Sequence, residues 1–213
     1  MSRPFSNELA QGLAQLGLSL SETQQNQLLD YLDLLQKWSQ VYNLTALRQA
    51  DQILTHHLLD CLATVPEVKR CYPASCDLLD VGSGAGLPAL VYAVVSPEWH
   101  VTALDAVGKK MAFVQNAANS LGLPNLVANH ARVEGFVGQY DLITCRAYSH
   151  LADFVAQTEH LLKPGGRWLA LKGKRPDEEM AALPPAVGVD GVQRIGVPGL
   201  DGERCLVWLS ARV

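Results

Sequence analysis

The sequence has no apolar run near the roughly 20 residues that cross a bilayer. Its first residues, Met1-Ser2-Arg3-Pro4-Phe5-Ser6-Asn7-Glu8, have no apolar signal core. Both absences predict a cytoplasmic protein with no membrane partner. There is no C-x-x-C pair either: the 5 cysteines (Cys61, Cys71, Cys76, Cys145, Cys205) are scattered and odd in number. That pattern speaks against a disulfide frame or a zinc site and predicts reduced thiols and no bound metal. Positive charge is not in excess, since 17 Lys+Arg against 21 Asp+Glu leave a net charge of −4. A protein that coats nucleic acid non-specifically is thereby disfavoured, although a local basic patch is not. Internal repeats and low-complexity segments are also missing. What remains is 213 residues, 48% hydrophobic and 18% charged, enough core for one α/β domain with an extension.

Residues 1–70 read as a helical extension, and 71–213 as one compact α/β unit packed beside it. Glu8 to Leu16 is a short amphipathic stretch stopped near Gly17, and Ser21 with Gln24 makes a capping-box pattern. Leu28, Leu32, Leu35 and Trp38 recur at helical spacing, widened by Leu29 and Tyr31. Trp38 and Tyr42 read as core. A third helix is predicted from Asp51 to Thr64, ending before Pro66. It carries His57 and Asp60 on one face, ordinarily a surface pair. Cys71 to Cys76 reads as a linker.

From Asp77 onward strands alternate with helices, which predicts a parallel sheet. Predicted strands cover 78–81, 101–104, 126–129, 141–145 and 167–171. Predicted helices cover 88–95, 109–121, 150–162 and 177–183, and Lys163-Pro164-Gly165-Gly166 reads as a tight turn before the fifth strand. Two further strands, 192–197 and 204–210, flank Pro198-Gly199-Leu200-Asp201-Gly202 as an antiparallel hairpin.

The stretch that organises the chain is Leu78-Leu79-Asp80-Val81-Gly82-Ser83-Gly84-Ala85-Gly86-Leu87-Pro88. A buried strand ends in an acid, and Gly82, Gly84 and Gly86 follow at alternate positions. These glycines would bring bare backbone against a ligand, with unpaired N–H groups of the next helix facing it too. A dinucleotide loop wants G-x-G-x-x-G/A, but the third position here is Leu87. Asp80 suits a ligand with a cationic end and would be a poor neighbour for pyrophosphate. Asp105, ending the second strand, can accept both hydroxyls of a ribose, a feature that both kinds of site share.

This arrangement, with Lys163-Pro164-Gly165-Gly166, resembles the seven-stranded S-adenosylmethionine-dependent methyltransferases. The likeness narrows. Trp38 with Tyr42-Asn43-Leu44-Thr45, His57-Leu58-Leu59-Asp60, the loop Asp80 to Pro88, Arg132-Val133-Glu134, Arg146-Ala147-Tyr148, Leu171-Lys172-Gly173 and Asp201-Gly202-Glu203-Arg204 follow one another as in the glucose-inhibited division B family. The resemblance implies a Rossmann-like α/β sheet of seven strands behind an N-terminal helical extension. It also implies methylation of N7 of a guanine in 16S ribosomal RNA, or in the small ribosomal subunit, by S-adenosylmethionine, with S-adenosylhomocysteine as product. Gly82, Leu87, Val133, Glu134 and Arg146 would contact the cofactor, beside Asp80, Gly84, Gly86 and Asp105. Ala85, Ala89, Ala106 and Tyr148 depart from the family's usual residues, which touches fine contacts rather than the activity.

Guanine N7 has a free lone pair and no proton, so no acid or base residue is assigned. Positioning carries the reaction, through Arg146 and Tyr148. Arg146 would pair with the cofactor carboxylate or bond guanine O6, or else form a salt bridge at a strand end; Tyr148 would stack on the base or pack in the core. The base turns cationic as the methyl arrives, so a neutral or acidic pocket helps. Lys172, Lys174 and Arg175 follow the fifth strand, at the carboxyl edge where ligands bind, and are candidates for RNA phosphates. Lys109 and Lys110, at a helix start, and His57 join them. Arg204 would pair with Asp201 or touch RNA. A monomer is expected. Two other readings remain: a methyltransferase of the same fold acting on a small molecule or protein, and a non-catalytic RNA-binding module.

Overall fold

Seven strands build the centre of the molecule in the computed structural model, which describes residues 3–42, 53–148 and 150–212. They are β1 (Asp77–Val81), β2 (His100–Asp105), β3 (Leu126–His130), β4 (Tyr140–Arg146), β5 (Leu162–Lys172), β6 (Val187–Arg194) and β7 (Cys205–Ala211). Their order across the sheet is β3-β2-β1-β4-β5-β7-β6. β1 to β5 are parallel, and β7 runs antiparallel to both β5 and β6. The central parallel strands are covered on both faces, so they read as nearly unbroken apolar runs. Alternate residues serve opposite cores. Leu78, Val101, Leu142 and Leu169 face one, while Leu79, Ile143, Trp168 and Ala170 face the other.

The helices are α1 (Ser6–Gln15), α2 (Glu22–Tyr42), a π-helical turn (Leu54–Leu59) running into α3 (Asp60–Leu62), α4 (Val65–Cys71), α5 (Ala89–Val95), α6 (Gly108–Ser120), α7 (Leu151–Thr158) and α8 (Asp177–Ala181). The capping box forms: Ser21 N–H donates to Gln24 Oε1 at 3.0 Å and Gln24 N–H to Ser21 Oγ at 3.2 Å. It starts α2 with Leu28, Tyr31 and Leu35 turned inward and fully buried. Burial of such a side chain is worth about 1.5–3 kcal/mol. Trp38 and Tyr31 meet Phe113 of α6 at ring distances of 5.4 and 6.2 Å. The extension therefore shares one core with the sheet face that carries α5 and α6. The side chains of Tyr42-Asn43-Leu44-Thr45 lie outside the described residues, as do Asp51 and Gln52.

Local differences from the expected elements have local causes. The third helix does end before Pro66, at Leu62, and Pro66 then sits in the first turn of an unexpected further helix, α4, where its missing N–H leaves no bond unmade. Lys163-Pro164-Gly165-Gly166 is not a turn ahead of β5 but a bulge within it, because pairing jumps from Tyr140 with Leu162 to Leu142 with Arg167. β6 begins at Val187, and the glycine that hid its first half, Gly191, stands at a second register shift. Among the described residues no helix is long and apolar enough to cross a membrane.

Candidate active site

The carboxyl ends of β1, β2, β4 and β5 open into two adjoining cavities. The larger, about 620 Å³, is lined by His56, His57, Asp60, the Gly82–Ala85 loop, Leu87, Lys110, Cys145, Arg146, Ala147, Tyr148, Lys172 and Arg204 among others. The smaller, about 280 Å³, is lined by Gly82, Asp105, Arg132, Val133, Glu134 and Tyr148 among others. Gly82 and Tyr148 border both. The Gly82 backbone has φ +67°, and a Cβ there would stand 2.8 Å from the Tyr148 ring. Only glycine meets both demands. The Tyr148 hydroxyl donates to Gln157 Oε1 at 2.5 Å, and its ring packs edge-on against Phe154. Ala147, between Arg146 and Tyr148, holds a left-handed φ of +53°, a strain of the kind concentrated at functional sites.

The glycine loop is not a phosphate cradle. The N–H groups of Gly82 and Ser83 both donate to Leu104 O, at 2.8 and 3.1 Å, and those of Gly86 and Leu87 donate to Ser83 O. Gly84 N–H donates to Asp105 Oδ2 at 3.0 Å. These donors are spent inside the protein, so the loop offers a pyrophosphate little to bind. Tyr31 of α2 fixes the same loop from outside, donating its hydroxyl to Ala85 O at 2.9 Å.

Three groups at this loop point elsewhere than into the cavities. The N-terminus of α5 does not face a ligand: Ala89 N–H points to Asp80 Oδ2 at 3.4 Å, Leu90 N–H donates to Gly86 O, and every residue of α5 is buried. Asp80 lines neither cavity. It is fully buried behind the loop, accepting from Ser83 Oγ at 2.5 Å and Thr144 Oγ1 at 3.1 Å. Burial raises its pKa to about 6, against the pull of those hydrogen bonds. Gly86 also lines neither cavity, and it is needed where its missing Cβ would meet Val114 at 3.0 Å.

On the smaller cavity's side, Asp105 accepts from Gly84 and, at 2.8 Å, from Val107 N–H. A carboxylate oxygen has lone pairs for further donors, so two hydroxyls can still be bound. Lys110 lies 3.7 Å from Asp105 Oδ2, whereas Lys109 is exposed and lines neither cavity.

On the larger cavity's side, the sequence did not point to the central group. Asp60 is 7% exposed, not a surface residue. Its Oδ1 accepts from Arg204 Nε at 2.6 Å and its Oδ2 from Arg146 Nη1 at 3.3 Å. Arg204 thus pairs with Asp60, not with Asp201. Arg146 also donates to His56 O at 3.3 Å and approaches His57 Nδ1 at 3.4 Å. Burial and then the Arg146 charge lower the His57 pKa to about 4. Lys172 pairs with Glu179 at 2.7 Å and Arg175 with Asp177 at 2.6 Å. Lys172, Lys174 and Arg175 border a further cavity of about 500 Å³ against the start of α8. Burial pushes the Cys145 thiol well up, so it is no nucleophile.

Residues 24–207 match the family described as GidB, rRNA small subunit methyltransferase G. The ribosomal RNA small subunit methyltransferase G of Acidovorax sp. (strain JS42) is 51% identical over 96% of this chain and 95% of its own length. That of Leptothrix cholodnii is 49% identical over 99% and 97%. The chain belongs to this family. Methyltransferases of solved structure share the fold at low identity. TrmN from Thermus thermophilus has a TM-score of 0.56 at 23% identity, covering 71% of this chain and 48% of that one. A methyltransferase from Thiobacillus denitrificans in complex with S-adenosyl-L-homocysteine has a TM-score of 0.52 at 15% identity, covering 72% and 91%.

Against the residues that the family likeness singled out, the structure brings Gly82, Gly84, Leu87, Arg146, Tyr148, His57, Lys110, Lys172 and Arg204 to one cavity. Asp105, Val133 and Glu134 stand around its neighbour. Asp60 and the Tyr31 contact are parts of this site that the sequence left unassigned. Only the i, i+3 spacing of His57 and Asp60 hinted at the first, and the second has no sequence signal.

Proposed function

We propose that this chain transfers a methyl group from S-adenosylmethionine to N7 of a guanine in small-subunit ribosomal RNA, releasing S-adenosylhomocysteine. The observation that carries this reading is the pair of cavities meeting at Gly82 beneath Tyr148, over a loop where the N–H groups of Gly82, Ser83, Gly84, Gly86 and Leu87 are already paired. That loop suits a nucleoside without phosphates. In this reading Asp105 takes the ribose hydroxyls, Val133 and Glu134 border the adenine, and Gly82, Gly84 and Leu87 pass backbone along the ligand. Arg146 meets its carboxylate. Asp80 and Gly86 act at one remove, by shaping the loop. When bound, the cofactor supplies an electrophilic methyl on a sulfonium centre.

The chain's own work is then alignment, which can supply up to roughly 7–11 kcal/mol. No base is needed, and His57, held neutral by burial and Arg146, adds no positive charge beside the ring. The cations of the larger cavity stand against carboxylates: Arg146 and Arg204 on Asp60, Lys172 on Glu179, Lys110 on Asp105. This pairing limits repulsion of the charge that develops on guanine. Tyr148, which borders both cavities, stacks on the base in this reading. Lys172, Lys174 and Arg175, with Lys109 and Arg204, meet RNA phosphates. The chain acts as a monomer in this reading.

The test is to map N7-methylguanine in small-subunit RNA from a strain lacking this gene, and again after restoring the gene or its Gly82→Asp variant. One site is expected to lose its methyl group, to regain it with the parent gene and not with the variant. If no site changes, the reading fails.

A further inference from the structure

The geometry points to Asp60 as a positioning residue that couples the two sides of the site, through one carboxylate shared by Arg146 and Arg204. The inference rests on the proposed function, in which Arg146 faces the methyl donor and Arg204 faces RNA. The three residues come from separate elements: α3, the end of β4 and the segment before β7. Each oxygen of Asp60 serves one guanidinium, 2.6 Å from Arg204 Nε and 3.3 Å from Arg146 Nη1. The carboxylate is almost wholly buried and lines the same cavity as both arginines.

Other cations near the site have carboxylates of their own. Lys172 stands on Glu179 and Arg175 on Asp177. Among the described residues near the site, Asp60 is the carboxylate on which two guanidinium groups meet. An anionic ligand on Arg146 competes with Oδ2 for the same donors and frees the carboxylate to turn toward Arg204. A phosphate on Arg204 does the reverse. The energy of each contact therefore depends on the other, and such a dependence is reciprocal by linkage. With Asp60 gone, two like charges would face one shared cavity without the anion that joins them.

The experiment is a double-mutant cycle read by calorimetric titration with S-adenosylhomocysteine, which needs no turnover. The proteins are the parent, Arg204→Gln, Asp60→Asn and the double variant. Removing Arg204 leaves Asp60 to bind Arg146 alone, so S-adenosylhomocysteine affinity is expected to fall at least about threefold. In the Asp60→Asn background the same substitution is expected to change it less than about 1.5-fold. If Arg204→Gln has no effect, or an equal effect in both backgrounds, Asp60 does not couple the sites. Arg146→Gln is the separate control. If it leaves the affinity unchanged, the placing of Arg146 in the proposed function fails, whereas a weakened Arg146→Gln with an additive cycle sinks the coupling alone. Should Asp60→Asn be too unstable to titrate, Asp60→Glu replaces it. Its carboxylate reaches one methylene further and cannot keep both distances, so the Arg204→Gln effect is expected to shrink at least about twofold. An undiminished effect overturns the inference.

Discussion

Gly82 and Gly84 offer a controlled comparison within one loop. Both have left-handed backbone, with φ of +67° and +62°. An alanine at either is expected to cost about 1–2 kcal/mol for that conformation alone. Their surroundings differ. At Gly84 the nearest atom to an added Cβ is Gly82 O, at an ordinary 3.9 Å, whereas at Gly82 it is Tyr148 Cδ2 at 2.8 Å. The ring must move away by more than about half an ångström to reach a normal contact. It is held by the Gln157 hydrogen bond and by its edge contact with Phe154. Those are worth about 1 kcal/mol and about 0.5–1.5 kcal/mol. Gly82→Ala should therefore destabilise by up to about 2.5–4.5 kcal/mol and Gly84→Ala by about 1–2 kcal/mol. Urea unfolding of both variants, alone and combined with Tyr148→Ala, measures the difference. It is expected to vanish when the ring is absent. Equal losses at the two glycines, or a gap that survives Tyr148→Ala, would refute the claim that Tyr148 packs on Gly82.

Tyr31→Phe removes the hydroxyl that holds Ala85 O; a loss of about 1–3 kcal/mol is expected in urea unfolding, and a change below about 0.3 kcal/mol would show that α2 does not brace the loop. His57 has its pKa lowered from 6.5 to about 4, so the unfolded chain binds protons more readily across that range. Its contribution to stability is full above pH 6.5 and is lost as pH falls toward 4, by at most about 3 kcal/mol. Asp80 works in the opposite direction: raised from 3.8 to about 6, it contributes stability that is lost as pH rises between those values. The two oppose each other in the parent, and in His57→Gln the acid gain from Asp80 stands uncovered. The stability difference between parent and variant should shrink on acidification, and a difference that ignores pH would remove the electrostatic account. Lys172→Ala should weaken RNA binding and lower the salt slope by about 0.7–0.9 while leaving S-adenosylhomocysteine affinity unchanged; equal slopes would argue against a phosphate contact.

Much of the architecture was legible because its causes are local. The capping box at Ser21 and Gln24 needs only a spacing of three residues, and it forms as expected. The apolar runs of β1, β2 and β4 announce buried parallel strands. Elements were misplaced where a residue permits two outcomes. Pro66 can stop a helix or start one. Gly191 can end a strand or sit in its bulge. At the loop, three glycines implied close backbone. They could not tell a glycine that borders the cavities under Tyr148, as Gly82 does, from one that accommodates Val114, as Gly86 does.

The sequence alone determined the order of elements, the glycine loop and the family, because these depend on residue type, spacing and order. Partnership was decided only by the tertiary structure. Leu104 O takes the N–H groups that a pyrophosphate would need. Ser83 and Thr144 hold Asp80 behind the loop, and Tyr31 reaches Ala85 from the extension. Arg146 and Arg204 meet across Asp60, which lies 86 residues from one and 144 from the other. Hydrogen bonds and ion pairs act over a few ångströms, and the fold alone brings such distant groups within that range.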